Sequence, residues 1–207
     1  MLKLYGYPGS RSIRAAWALE VAGADYEYLK IDLATGGGRT PEFLRLNPGG
    51  KVPVLIDGER VLNESAAILI DIGERYPASR LVPPSDRAAE RASFWQWTFF
   101  VVTELEQPLW TLGKHRFALP KDKRVPAIVD TAKWEFGMAA KVLDQHLAGR
   151  RYIVGDSFTA ADILAAQTLR WAANIHLRLP SAATERYVET MLQRPAFQRA
   201  LQREAAL

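Results

Sequence analysis

The strongest constraint in this chain is the change of pattern at Pro83-Pro84. Before it, strand-like and helix-like segments alternate; after it, only helical periodicity remains. Leu2 to Tyr7 reads as a strand and stops at the Pro8-Gly9 breaker. Ser10 or Ser12 can cap a helix running to Ala22, in which Ile13, Ala16, Trp17 and Glu20 recur at helical spacing. Gly23-Ala24-Asp25 closes that helix, and Tyr26 to Ile31 reads as the next strand. A Gly36–Gly38 loop leads to a short helical segment, Pro41 to Leu46. Val52 to Ile56, the Asp57-Gly58 turn and Arg60 to Leu62 then read as a hairpin. Ser65 to Tyr76 is a helix stopped by Pro77. The order is βαβ, a connecting segment, then ββα.

Beyond the proline pair, Asp86 opens a long helical pattern reaching about Gly113. A bend is expected at Pro108, which cannot supply a backbone hydrogen bond. Further helices are expected over Pro126–Leu147, Thr159–Leu177, Ser181–Gln193 and Ala196–Glu204. The chain therefore reads as α+β. A mixed domain spans 1–78, a linker covers about 79–85, and an all-α helical-bundle domain spans 86–207.

Composition narrows the chemistry. There is no cysteine, which removes disulfides, thiolate metal sites and any protein-borne thiol nucleophile. The three histidines, His115, His146 and His176, share no metal-ligand spacing, so no metal site is expected. No apolar run approaches the roughly 18 residues of a membrane span, and no secretory leader pattern opens the chain. The expectation is a soluble, cytoplasmic protein with no membrane partner. The net charge of +4 is spread among acids, as in Lys121-Asp122-Lys123-Arg124, which reads as a solvated surface and not as a nucleic-acid stripe.

The chemistry-bearing signals lie in the first domain. In Asn47-Pro48-Gly49-Gly50-Lys51-Val52-Pro53-Val54-Leu55 a proline enters a strand. If the Val52-Pro53 bond is cis, the Val52 backbone is presented sideways and can pair with an extended peptide as an added strand. Glu64-Ser65 follows at a helix start, where a hydroxyl and free N–H groups bind a carboxylate and the acid binds an amino group. These features suit a short peptide with a free α-amino and α-carboxylate at one end, with Lys51 facing a carboxylate at the other.

This pattern, continued by Glu64-Ser65-Ala66-Ala67-Ile68, resembles the glutathione site of cytosolic glutathione transferases. The resemblance implies an N-terminal thioredoxin-like domain, a helical domain that contributes the electrophile pocket, and glutathione as co-substrate. It implies Val52 and Pro53 on the cysteinyl backbone, Glu64 and Ser65 on the γ-glutamyl group, and Lys51 near the glycyl end. It also implies a homodimer that conjugates the glutathione thiolate to apolar or aromatic electrophiles, in keeping with a detoxification role. A zeta-like isomerase or a non-catalytic interaction module on the same fold are the alternatives.

Glutathione's thiol has an ordinary pKa near ~8.5 and must become a thiolate to react. A helix N-terminus and a hydroxyl donor favour the anion. Ser10 stands where theta- and zeta-like members carry their catalytic serine, with Ser12 and Arg11 as alternatives. Tyrosine-using classes align their tyrosine best with Gly6, so Tyr5 and Tyr7 are expected to pack. Arg11 occupies the cysteine position of beta-like members, and Gly9-Ser10-Arg11 departs from the zeta-like Ser-Ser-Cys run. In the helical half, Trp97, Phe100 and Glu104 are expected to share a helix face that can line the electrophile pocket. Thr159 and Asp162 have capping-box spacing flanked by the Phe158/Ile163 staple, and the family carries this same buried cap. Asp162 is therefore expected to serve folding.

Overall fold

The computed structural model describes residues 1–207. The chain divides into two compact units. Met1–Pro84 joins Leu192–Leu207 in the first, and Ser85–Met191 forms the second. The expected 86–207 domain thus loses its last helix to the first unit. The reason is a complementary face: Phe197, Ala200 and Glu204 recur along one side of that helix and are all buried.

In the first unit, β1 (Leu2–Gly6), β2 (Tyr26–Lys30), β3 (Val54–Asp57) and β4 (Arg60–Asn63) form one sheet in the order β2-β1-β3-β4. β1 runs parallel to β2 and antiparallel to β3, and β3–β4 is the expected hairpin. Burial alternates along β1, with Leu2, Leu4 and Gly6 inside. The crossover helix α1 (Ser12–Ala22) is buried continuously from Ser12 to Glu20 because α3 (Ser65–Arg75) and the last helix, α9 (Pro195–Ala205), both pack on it. Trp17 of α1 meets Phe197 of α9 with ring centroids 4.6 Å apart. A fully buried aromatic or branched side chain contributes about 1.5–3 kcal/mol, so this contact is a main source of α9 docking. Glu20 adds polar fastening: Arg199 Nε donates to Oε2 at 2.8 Å and Arg203 Nε to Oε1 at 2.6 Å. Burial pulls the Glu20 carboxyl upward, but the two arginines outweigh it and hold it below the usual range. The short α2 (Pro41–Leu46) starts from Thr40, whose hydroxyl accepts the Phe43 N–H.

The second unit holds α4 (Ala88–Phe100), α5 (Glu106–Gly113), α6 (Ile128–Leu147), α7 (Ala160–Asn174) and α8 (Ala182–Leu192). The expected helix to Gly113 is present, but its irregularity lies before Pro108. Val101–Leu105 is a π turn, and the Glu106 N–H reaches back to the Val101 carbonyl. Pro108 has no N–H for the Glu104 carbonyl and its ring crowds that group, so the preceding turn widens. α6 buries Ala132, Phe136, Ala139, Ala140, Leu143 and Leu147 along one face, and α7 is buried on nearly every side from Ala160 to Leu169.

The capping box at α7 forms, and it does more than cap. Asp162 Oδ2 accepts the Thr159 N–H at 2.9 Å and the Thr159 hydroxyl at 3.2 Å. Its Oδ1 accepts the Ile153 N–H and the Tyr187 hydroxyl, each at 2.9 Å. One fully buried carboxyl therefore joins α7, the loop before it and α8. Burial pushes its pKa up to about 6 against the downward pull of all four donors. No helix of the chain is long and apolar enough to cross a membrane.

Candidate functional site

The sheet register assembles the site. Tyr5 pairs with Val54, and Val54 pairs with Asn63, so these three residues form one row across β1, β3 and β4. Tyr5 is near the end of β1, Val54 begins β3, and Asn63 ends β4. Three segments therefore emerge at the same edge of the sheet: Gly6 to Arg11, Lys51 to Pro53, and Glu64-Ser65. The residues singled out in the first domain are far apart in sequence but share this edge.

The loop after β1 is tightly wired. Ser10 Oγ lies 2.6 Å from the Tyr7 carbonyl, 2.8 Å from Ser12 Oγ, and accepts the Ser12 N–H at 3.2 Å. Ser12 Oγ accepts the Tyr7 N–H at 3.3 Å, and Ser12 is completely buried. Ser10 is half-buried and Arg11 is the N-cap of α1, with helical backbone angles and no side-chain cap. Tyr5 packs on Phe43, with ring centroids 6.3 Å apart.

Gly6 has no room for any side chain. A Cβ there would fall 2.5 Å from Tyr28 Oη and 2.8 Å from Ser12 Cβ. Tyr28 fills the space instead and donates to Glu204 Oε1 at 2.9 Å. Burial, reinforced by the Glu204 charge, holds the Tyr28 phenol far above its ordinary pKa, so it is a neutral donor. Glu204 Oε2 accepts the Gly9 N–H at 3.2 Å.

At the second segment, the Asn47 side chain organises the turn: Oδ1 accepts the Gly49 N–H at 2.9 Å and Nδ2 donates to the Lys51 carbonyl at 2.7 Å. Gly50 has φ +63, and a Cβ there would lie 2.5 Å from the Gly38 carbonyl oxygen, so the two glycine loops touch backbone to backbone. The Val52-Pro53 bond is cis, and the β1–β3 ladder begins at Val54, which leaves Val52 beyond its end. Lys51 is exposed and Pro53 buried.

Glu64 is exposed and holds φ 65, ψ 115 at the N-cap of α3, a conformation unfavourable for a residue with a side chain. No side chain caps the helix there. The first N–H groups of α3 therefore remain available to an anionic group. Ser65 is nearly buried, and its hydroxyl accepts from Arg14 Nη1 at 3.3 Å.

Arg14, Tyr28 and Glu204 were not among the sequence candidates. Arg14 is 1% exposed, and its position within an apolar helix pattern was the available signal. Nothing in the sequence tied Tyr28 or Glu204 to Gly9.

In the helical unit the expected aromatic face separates. Trp97 is buried and stacks on His146 at 3.9 Å between ring centroids, which makes it core. Phe100 is half-buried, edge-on to Trp97 at 5.1 Å, and Glu104 is exposed in the π turn. The extra residue of that turn breaks the seven-residue spacing that would have aligned all three.

Comparison with known proteins shows the family. Residues 1–72 match the glutathione S-transferase N-terminal domain family and residues 127–203 the glutathione S-transferase C-terminal domain family. A zeta-class glutathione S-transferase from Euphorbia esula is 38% identical over 166 residues, covering 78% of this chain and 72% of that protein. Glutathione S-transferase GST-4.5 of Xanthomonas campestris is 31% identical over 204 residues, 98% of each chain. A sphingomonad glutathione S-transferase solved with glutathione superposes with a TM-score of 0.84 at 32% identity, covering 99% of this chain and 100% of the other.

Proposed function

The chain belongs to the glutathione S-transferase family, and from that premise we propose that it conjugates glutathione to small apolar or aromatic electrophiles through a serine-assisted thiolate. The observation that carries this reading is the contrast between two hydroxyls at the start of α1. Both are hydrogen-bonded, but Ser12 is fully buried, whereas Ser10 is half-buried and can turn its proton from the Tyr7 carbonyl toward an incoming sulfur. Ser10 is thus favoured over Ser12 as the donor, with Arg11 beside it as a source of positive charge.

The peptide would lie along the shared sheet edge. Val52, next to Pro53, offers backbone groups beyond the ladder's end. Glu64 meets the γ-glutamyl ammonium, Ser65 and the α3 amides meet its carboxylate, and Lys51 faces the glycyl carboxylate. A hydrogen bond to the charged form and the α1 N-terminus both depress the thiol pKa. The thiolate then attacks the electrophilic carbon, and the leaving group departs with the bonding electrons. The resemblance assigns the electrophile pocket to the helical unit, in which Phe100 is half-buried, Glu104 is exposed and Trp97 packs edge-on to Phe100. Family resemblance supports a cytoplasmic homodimer with a detoxifying role.

The zeta-class relative favours one second reading, a glutathione-dependent isomerase in which the thiol adds and later leaves. Arg11, where that class carries cysteine after its serines, weighs against it. The test is glutathione-dependent turnover of an activated aryl chloride beside a maleyl isomerisation substrate. Conjugation with no isomerisation supports the proposal; isomerisation alone replaces it.

A further inference from the structure

We propose that Glu204 is a positioning residue for the thiolate donor: by holding the Gly9 N–H with one carboxyl oxygen and the Tyr28 hydroxyl with the other, it sets where Ser10 presents its proton. The inference rests on the reading of Ser10 given above and concerns how that serine is held.

Glu204 lies on α9 and is 7% exposed, and one of its oxygens accepts from the loop that follows β1 while the other accepts from Tyr28 on β2. One bond is to the residue immediately before Ser10. Gly9 has φ +75, so the chain reverses sharply there, and the Gly9 N–H fixes the start of that reversal. The other bond holds Tyr28, whose ring occupies the space beside Gly6 and abuts Ser12. Ser12 is in turn bonded to Ser10 and to the Tyr7 N–H. Glu204 therefore braces the Ser10 loop from both sides, through backbone before it and through a packed ring after it. A shift of a few tenths of an ångström at Gly9 is enough to lengthen a Ser10–sulfur hydrogen bond, to which the thiolate is sensitive.

The test uses the full chain with Glu204→Met, which keeps the length and volume of the side chain but has no acceptor for these donors, and Glu204→Gln, which keeps one carbonyl. Ultraviolet titration of bound glutathione and steady-state kinetics with an activated aryl chloride are measured for each, alone and combined with Ser10→Ala. Glu204→Met is expected to raise the bound thiol's pKa and lower kcat at neutral pH about tenfold while the KM for glutathione changes less than about twofold. Glu204→Gln is expected to fall between it and wild type. In the Ser10→Ala background, Glu204→Met should add nothing, because residues acting as one unit are non-additive. If Ser10→Ala shifts the titration and Glu204→Met does not, or the two effects simply add, the positioning role is overturned while the serine reading stands. If Ser10→Ala itself shifts nothing, the serine reading fails and takes this proposal with it. Should Glu204→Met not fold, the same cycle is run on Tyr28→Phe, which removes one of the two braces. A smaller shift in the same direction, absent without Ser10, supports the role; no shift overturns it.

Discussion

Arg14 Nη1 donates to Ser65 Oγ across 3.3 Å, joining the helix that follows the Ser10 loop to the helix that begins after Glu64. A buried cation thus stands behind the place where the γ-glutamyl carboxylate is proposed to bind. On that proposal it would support the subsite by its charge and by holding the Ser65 hydroxyl.

Arg14→Met, which retains most of the buried volume, is expected to weaken glutathione binding about tenfold, roughly 1.4 kcal/mol, while moving the melting temperature only slightly. Arg14→Ala leaves a cavity as well and should lower the melting temperature clearly more. Calorimetric titration and thermal melts separate the two effects. Unchanged affinity in both variants would remove Arg14 from the site.

Glu64 links function to backbone cost. Glu64→Ala and Glu64→Gly both remove the acid proposed to meet the ligand's ammonium, a charged hydrogen bond worth about 1.5–3 kcal/mol. Each should weaken glutathione binding at least tenfold. The glycine variant accepts φ 65 without steric penalty, so its stability should equal or exceed wild type by up to about 1 kcal/mol. Denaturant unfolding and calorimetry on the same samples check this. A glycine variant less stable than the alanine one would contradict the strain.

Ser10→Ala should raise the pKa of bound glutathione with little change in its affinity, since the other contacts hold the peptide. Activity at neutral pH should fall and partly recover at higher pH. Ser12→Ala serves as the control for burial: it should cost stability first, because its hydroxyl bonds to Ser10 and Tyr7 inside the fold. A shifted titration in Ser12→Ala alone would exchange the roles.

Asp162→Ala should cost more than an ordinary cap. Four donors lose their acceptor at once, so the loss is expected to exceed about 3 kcal/mol, against about 0.5–2 for a cap alone. The pH dependence has a definite sign. The folded-state pKa, near 6, lies above the ordinary value of 3.8. The folded protein therefore binds the extra proton, and this group's contribution falls as pH rises from about 4 to about 6. Across that window wild type should lose stability relative to Asp162→Asn, measured by denaturant unfolding at a series of pH values. The opposite slope would show that the four donors outweigh burial.

Much of the fold was legible because local signals and tertiary demand agreed. Pro8-Gly9, Gly23, Pro41 and Pro77 mark element ends where the structure has them; the hairpin turn falls one residue later than the expected Asp57-Gly58, at Gly58-Glu59, because Asp57 still pairs with Arg60. The edge-sharing of Gly6–Arg11, Val52 and Glu64-Ser65 could be carried over from resemblance, but its physical cause, the Tyr5–Val54–Asn63 row, is a pairing between distant segments that no local pattern encodes. For the same reason the packing of α9 against α1 is not legible in the sequence. Its periodicity announced an amphipathic helix, and only three dimensions reveal that Phe197 seeks Trp17. The π turn ahead of Pro108 was missed because proline's effect falls on the carbonyl four residues earlier.

The Gly9–Glu204 bond spans 195 positions of the chain, and this separation has a consequence in time. Translation at about 5–20 residues per second leaves roughly 10–40 s between the appearance of the two partners. Throughout that interval Trp17 lacks its covering ring, and the Ser10 loop lacks its outer tether. The unit begun first is therefore completed only after α9 has emerged, and a ribosome-bound fragment ending before α9 would display an apolar face of α1 that Phe197 later conceals.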